Sequence, residues 1–263
     1  MFDYHAIAPE LILGVTLIAV VFIDLVLSDR HKYLAGVTAL VGLTAAAFPL
    51  LTLAVCGDLT NCADTGSRVL FGGSYVIDDF ALVLKGLFIV VGVITLLLSV
   101  GYIESDDYYQ GEFYFLVLAS ITGAVVMASS RDLITMFIGL ELVSGPAFLL
   151  AGWRKGDTRS NEAALKFFLI GVLSAAILLF GMSLVYGLTG EITFSGIAAA
   201  SATLDLANDP AFVLAVVFVL VGFAFKISAV PFHFWAPDTY QGAPTPVAAY
   251  LSVGSKTAGF VGL

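Results

Sequence analysis

Apolar residues run through this chain in long unbroken blocks, without the two-residue or three-to-four-residue alternation that marks a half-buried strand or a soluble amphipathic helix. Eight blocks, near residues 8–28, 33–54, 79–103, 113–130, 132–152, 162–187, 210–234 and 244–263, are separated by short polar stretches. Each is long enough to cross about 30 Å of hydrocarbon as a helix. The seventh is broken. Pro231 lacks a backbone donor and its ring collides with the carbonyl four residues earlier, so the helix that carries Lys226 is expected to stop there. A break at membrane depth is tolerated only where protein or a water-filled cavity satisfies the freed backbone groups. The eighth block ends at Gly262-Leu263 with no polar flank, which predicts a truncated chain. The fold expected is all-α, a polytopic transmembrane helix bundle with one proline-broken helix.

Composition supports this reading. The chain is 60% hydrophobic and 12% charged, with a mean hydropathy of +1.02. A soluble domain carries about twice that charge. A net charge of −9 argues against nucleic acid and against an anionic lipid surface as partner. The N-terminus lacks the basic region of a secretory signal, so the first block reads as a retained span. Basic residues set the expected orientation. Arg30 and Lys32 follow the first block and Arg154, Lys155 and Arg159 follow the fifth, whereas the opposite side holds only Arg68 and Arg131. That balance puts the N-terminus outside, in a multi-pass protein of the cell inner (plasma) membrane. The acidic stretch 104–112 contributes no basic residue to the count. Cys56 and Cys62 then fall outside as well, where they form either a small disulfide loop or two separate thiols. No His or further Cys lies near them to complete a metal site.

Four lysines lie within the blocks, and a charge at the bilayer centre costs about 2.5–3.5 kcal/mol on insertion scales. Lys85, six residues beyond Asp79, is close enough to a segment end to snorkel to the interface. Lys166 lies four residues after Glu162, where an i,i+4 ion pair gives a structural account and a buried proton site a functional one. Lys226 and Lys256 are deeper. The first follows the apolar run 211–225; the second sits among small residues in Ser-Val-Gly-Ser-Lys-Thr-Ala-Gly, which leave room for a close helix or for water. Glu141 is the one carboxylate in mid-span, and it must be protonated and hydrogen-bonded or paired with a lysine of another helix. Asp24 reads as structural, within reach of Arg30. His233, just past the break, is either a satisfied structural group or a proton relay. Asp238 reads as a cap or tie for the helix that resumes. No nucleotide fingerprint, metal-ligand spacing or nucleophile motif stands out.

With these residues in hand, the chain resembles the antiporter-like membrane subunits of respiratory complex I, and among them the N-type subunits of NADH–quinone oxidoreductase. The resemblance rests mainly on residues 225–259, where Lys-x4-Pro-Phe-His-x-Trp-x-Pro-Asp-x-Tyr-x-Gly-Ala-Pro-Thr-Pro precedes Ser-Val-Gly-Ser-Lys-x-Ala-Gly-Phe. Ala8-Pro-Glu-Leu-Ile-Leu, Asp24-Leu and Glu141 add to it, and Tyr240-Gln241-Gly242 departs from the histidine typical of the related L and M types. The resemblance implies two inverted five-helix repeats. Residues 1–111 would then be the N-terminal helices and 112–263 the first proton-channel repeat, with the second repeat missing.

What the resemblance implies about activity is a membrane subunit of an NADH:quinone oxidoreductase, a translocase that couples quinone reduction to proton pumping. Glu141, Lys166, Lys226, His233 and Lys256 would carry the proton, with Glu141 tuning its neighbouring lysine. No cofactor is expected in the chain; NADH, FMN, iron–sulfur clusters and quinone belong to partner subunits. The partners implied are other membrane subunits and the lipid bilayer. Three other readings use the same residues: a sodium/proton antiporter subunit, a membrane hydrogenase subunit, and a structural anchor in which the charges are static pairs.

Overall fold

A computed structural model describes residues 3–28, 31–56, 66–104 and 111–263. The expected all-α bundle is what forms. Among the described residues seven helices are long and apolar enough to cross a membrane. They are α1 (Ala8–Val26), α2 (Tyr33–Cys56), α3 (Asp79–Glu104), α4 (Gly111–Ser129), α5 (Leu133–Ala151), α6 (Thr158–Thr189) and, after a short helix α7 (Phe194–Thr203), α8 (Pro210–Ile227). The eighth apolar block is helical from residue 245 to 261, but not uniformly so. It consists of α10 (Thr245–Tyr250), a π-helical turn at Leu251–Ser255, and α11 (Lys256–Val261). Between α8 and α10 lies the short α9 (Ala236–Gly242). Cys62, Arg30 and most of the acidic 104–112 stretch lie outside the described residues, and with them the cysteine pairing.

The bundle is built around α4, whose side chains are buried along most of its length. It packs against α1, α3 and α5, while α5 adjoins α6 and α6 adjoins α8. Small residues set the closest approaches, as expected where burial against lipid gives no hydrophobic drive and packing must hold the helices together. A Cβ on Gly123 of α4 would stand 2.7 Å from the backbone of α5 at Gly139 and Val143; one on Gly181 of α6 would stand 2.8 Å from the backbone of α8 at Ala215 and Val219. Outward-facing positions such as Val15, Ile18 and Phe22 of α1 and Val213 and Leu220 of α8 are exposed and apolar, the pattern of a lipid-facing surface.

One end of the bundle carries structure that the apolar pattern did not predict. An antiparallel hairpin, β1 (Arg68–Leu70) with β2 (Tyr75–Ile77), lies between α2 and α3. Tyr75 bridges on to Ser130 after α4, and Asp132 bridges to Thr193 before α7. Asp132 also caps α5, accepting from Ile134 N and Thr135 N at 2.9 Å each. These ties fix the turn between α4 and α5 at the hairpin end. At the opposite end, Asp24 lies 4.0 Å from Lys32.

Candidate functional site

Lys226 is the last turn of α8, which stops one residue later at Ile227. Ser228 takes a left-handed conformation (φ 59°) and the chain leaves the helix there, three residues ahead of Pro231. The freed carbonyls find partners: Ser228 N and Trp235 Nε1 both donate to Phe225 O (3.0 and 3.2 Å), and Ala229 N donates to Ala224 O (2.8 Å). Trp235 reaches that carbonyl because its ring stacks on Phe167 of α6, at 4.4 Å between centroids and 14° between planes, with Phe225 alongside at 5.1 Å. This aromatic cluster helps give the freed carbonyls protein partners, as irregular backbone at membrane depth requires, while Val230, Pro231, His233 and Phe234 beyond it are exposed.

The Lys226 side chain is only 2% exposed. Its Nζ donates to Ser144 Oγ of α5 at 2.9 Å, and that hydroxyl donates in turn to Leu140 O at 2.7 Å. Glu141 stands less than one turn away on the same helix, half-buried, and its carboxylate acts on Lys226 through space; no carboxylate lies within 4 Å of Lys226 among the described ion pairs. Glu141, Ser144 and Lys226 share a narrow cleft with Ser174 of α6 and Gly222 of α8. It offers about 10 Å³ to water centres, enough for about one water. The direct lysine–carboxylate pair admitted by the sequence is thus replaced by a lysine on a neutral hydroxyl with the acid nearby.

A second hydroxyl chain lies one turn further along α5. Ser120 of α4 donates to Val143 O at 2.7 Å and bonds the Tyr250 hydroxyl at 2.7 Å. Having spent its proton on Val143, Ser120 must accept from Tyr250. Tyr250 closes α10, and the π turn that follows delivers Lys256 at the start of α11. Single π turns inside α-helices are frequently found at functional sites. The half-buried Lys256 places its Nζ 5.4 Å above the Tyr240 ring, while Gly259 lets α11 press against the Lys226 stem.

The remaining two candidates lie apart from this core. Lys166 is paired with both Glu162 of its own helix (2.6 Å) and Asp238 of α9 (2.5 Å), with side chains 42–63% exposed. That fits the i,i+4 account and gives Asp238 its tying role, lashing α9 to α6. His233 is exposed, and its carbonyl accepts from Ala236 N at the start of α9. Ser144, Ser120 and Tyr250 were not singled out from the sequence; a hydroxyl in an apolar helix carries no signal until its neighbours are known. Lys85 corrects an expectation. It does not snorkel but is 1% exposed and ion-paired to Glu10 Oε1 at 2.5 Å.

Residues 130–263, which include α5 to α11, match the family described as NADH:quinone oxidoreductase/Mrp antiporter, transmembrane. The chain is 44% identical over 261 residues to NADH-quinone oxidoreductase subunit N 2 of Streptomyces griseus subsp. griseus, covering 99% of this chain and 48% of that protein. It is 41% identical to NADH-quinone oxidoreductase subunit N of Anoxybacillus flavithermus, over 99% of this chain and 51% of the relative. Among solved structures, a chain of respiratory complex I from Thermus thermophilus with bound aureothin superposes with a TM-score of 0.76 at 33% identity, covering 97% of this chain and 52% of that one. The chain spans about half the length of the curated relatives it matches.

Proposed function

Because this chain belongs to the NADH:quinone oxidoreductase/Mrp antiporter transmembrane family, we propose that it is a proton-translocating membrane subunit of an NADH–quinone oxidoreductase. The chain is a multi-pass membrane protein, and its relatives are named as subunits of an oxidoreductase complex. The role assigned to it here is proton transfer, with redox chemistry left to partner subunits that hold NADH, FMN, iron–sulfur clusters and quinone. The proposal includes other membrane subunits as neighbours, a cell inner membrane with the N-terminus outside, and a division into helices of residues 1–111 and a first channel repeat of residues 112–263.

The observation that carries it is Lys226, fully enclosed at a broken helix and resting on a neutral hydroxyl with Glu141 at one remove. A lysine so placed changes charge at little structural cost, since Ser144 can bond the amine as well as the ammonium. A carboxylate about 6 Å away at an effective dielectric near 20 biases that choice by roughly 2.8 kcal/mol. Driving one proton against about 150 mV takes roughly 3.5 kcal/mol, so the bias is of useful size but does not suffice alone. Energy from quinone reduction in the partners would supply the remainder. Lys256 is assigned the next station and the exposed His233 the approach, with Lys166 holding α9 to α6 beside them.

The test is Lys226→Ala in the assembled membrane complex, with proton uptake into vesicles followed by a pH-sensitive dye and electron transfer followed separately. Pumping is expected to fall by roughly tenfold or more, which is about 1.4 kcal/mol or more at the limiting step. Undiminished pumping in an assembled complex would overturn the role of Lys226. Activity that follows sodium instead of protons would move the chain to the antiporter branch of its family.

A further inference from the structure

A second enclosed set of titratable groups lies outside the Lys226 region, at the hairpin end of the bundle. Lys85 lies roughly 9 Å into α3 by helical rise and is more deeply buried than any ordinary interfacial lysine. Glu10, in the first turn of α1, receives it at 2.5 Å and receives the Tyr75 hydroxyl at 2.7 Å, both on Oε1. Lys85 also stands 5.0 Å from the centre of the Tyr75 ring. Glu10 Oε2 is buried with no hydrogen-bond partner among the described residues. A bare carboxylate oxygen in such a place is either costly or satisfied by a proton or a water.

The groups facing the cluster are few. From α1 there is Glu10, from the hairpin Tyr75 and then Asp78, and from the end of α4 the Ser129 hydroxyl beside the phenol. Arg131 after α4 pairs with Asp78 at 2.8 Å, both side chains about a third exposed. α2 carries no acid, His, Lys or Arg, and its Thr52 holds the ring of His5, five residues ahead of Glu10, at 2.9 Å. Ala6, Tyr75, Ile77, Ile7, Leu70 and Leu82 form a small apolar plug around the cluster, separate from the main core. The arrangement is therefore an acid, an amine and a phenol within hydrogen-bond reach and largely buried, with the Asp78–Arg131 pair nearby.

We propose that Glu10, Lys85 and Tyr75 form a second proton-holding site, opening to the hairpin-side aqueous phase through Asp78 and Arg131. The internal step is a proton transfer from the Lys85 ammonium to the Glu10 carboxylate: one N–H bond breaks, one O–H bond forms, and the ion pair becomes a neutral pair. An aqueous proton arriving at the freed amine then leaves the site with one positive charge more. Tyr75 follows the state of Glu10 by donating to Oε1. Burial first, and then the Glu10 charge, hold the phenol well above its usual range, so it remains a donor throughout. A sodium or other metal cation is disfavoured by the ammonium in direct contact with Glu10. The site's use in translocation rests on the proposed function; its ability to take and give a proton does not.

Infrared difference spectra of the chain in lipid nanodiscs, recorded against pH and in heavy water, test the site directly. A protonated-carboxyl band is expected that titrates, vanishes in Glu10→Gln, and shifts its midpoint by about one pH unit in Tyr75→Phe, which keeps the ring but removes the hydrogen bond. Absence of any Glu10-dependent band across the range that leaves the fold intact would overturn the site. In the assembled complex, the neutral double variant Glu10→Gln/Lys85→Met keeps the packing without a lone buried charge. Pumping reduced at least twofold is expected, and full pumping in that variant would show a static lock. A silent Lys226→Ala with an intact Glu10 band would instead overturn the proposed function and leave this site standing.

Discussion

Lys166 and Lys226 belong to adjoining helices, and their surroundings differ in kind. Lys166 faces the surface and is saturated with negative charge, with Glu162 and Asp238 both within 2.6 Å. Lys226 is enclosed and has a serine for its partner, with its nearest acid, Glu141, in the same cleft but not in contact. Charge alone therefore does not mark a proton carrier. Two contacting carboxylates fix a lysine in its charged form and make it a fastening. A neutral hydroxyl that accepts from ammonium and amine alike leaves the charge state open.

The sharpest way to break this contrast is to change the acid that acts at a distance. Glu141→Gln keeps shape and hydrogen bonding but removes the bias on Lys226, and pumping in the assembled complex is expected to drop by roughly tenfold. Glu141→Asp, which keeps the charge, is expected to cost less. If Gln is silent and Asp is damaging, side-chain geometry and not charge is what matters. A smaller effect is expected from Ser144→Ala, which removes the hydroxyl and leaves Lys226 Nζ to find water or Glu141. A hydrogen bond to an ionised group is worth about 1.5–3 kcal/mol, so the thermal midpoint of the purified complex is expected to fall, with pumping slowed and not abolished. Unchanged stability and pumping would mean that the serine is incidental. The smallest change is expected from Lys166→Gln. An exposed pair contributes little and is screened by salt, so stability is expected to hold, with any loss disappearing as salt is raised. A loss of pumping as large as that of Lys226→Ala would erase the distinction between fastening and carrier.

Much of this was legible in the sequence. Seven of the eight apolar blocks became long helices, because a run of about twenty apolar residues has no other stable form in hydrocarbon. The depth of Lys226 followed from the run before it, and the break from the proline after it. What stayed hidden depended on distant partners. Lys85 reads as an interfacial anchor until Glu10, 75 positions earlier in the chain, is brought against it. His233 reads as a neighbour of Lys226 until the stacking of Trp235 on Phe167 turns the intervening segment outward. Ser144 gives no sign in sequence, since a serine one turn beyond an acid is ordinary until a lysine of another helix reaches it. The π turn before Lys256 is likewise unmarked, although the small residues of Ser-Val-Gly-Ser make room for it.

The contact at Gly123 has a mechanical meaning. Where α4 and α5 touch backbone to backbone at Gly123, there is no Cβ on that residue to give way, so a slide or roll of either helix meets collision at that point. With Asp132 clamping the turn that joins them, the pair acts as a stator. Glu141 and Ser144 ride on that fixed frame, so the working stroke of the site falls to the parts with slack: the four-carbon arm of Lys226 and the short segments after its helix ends.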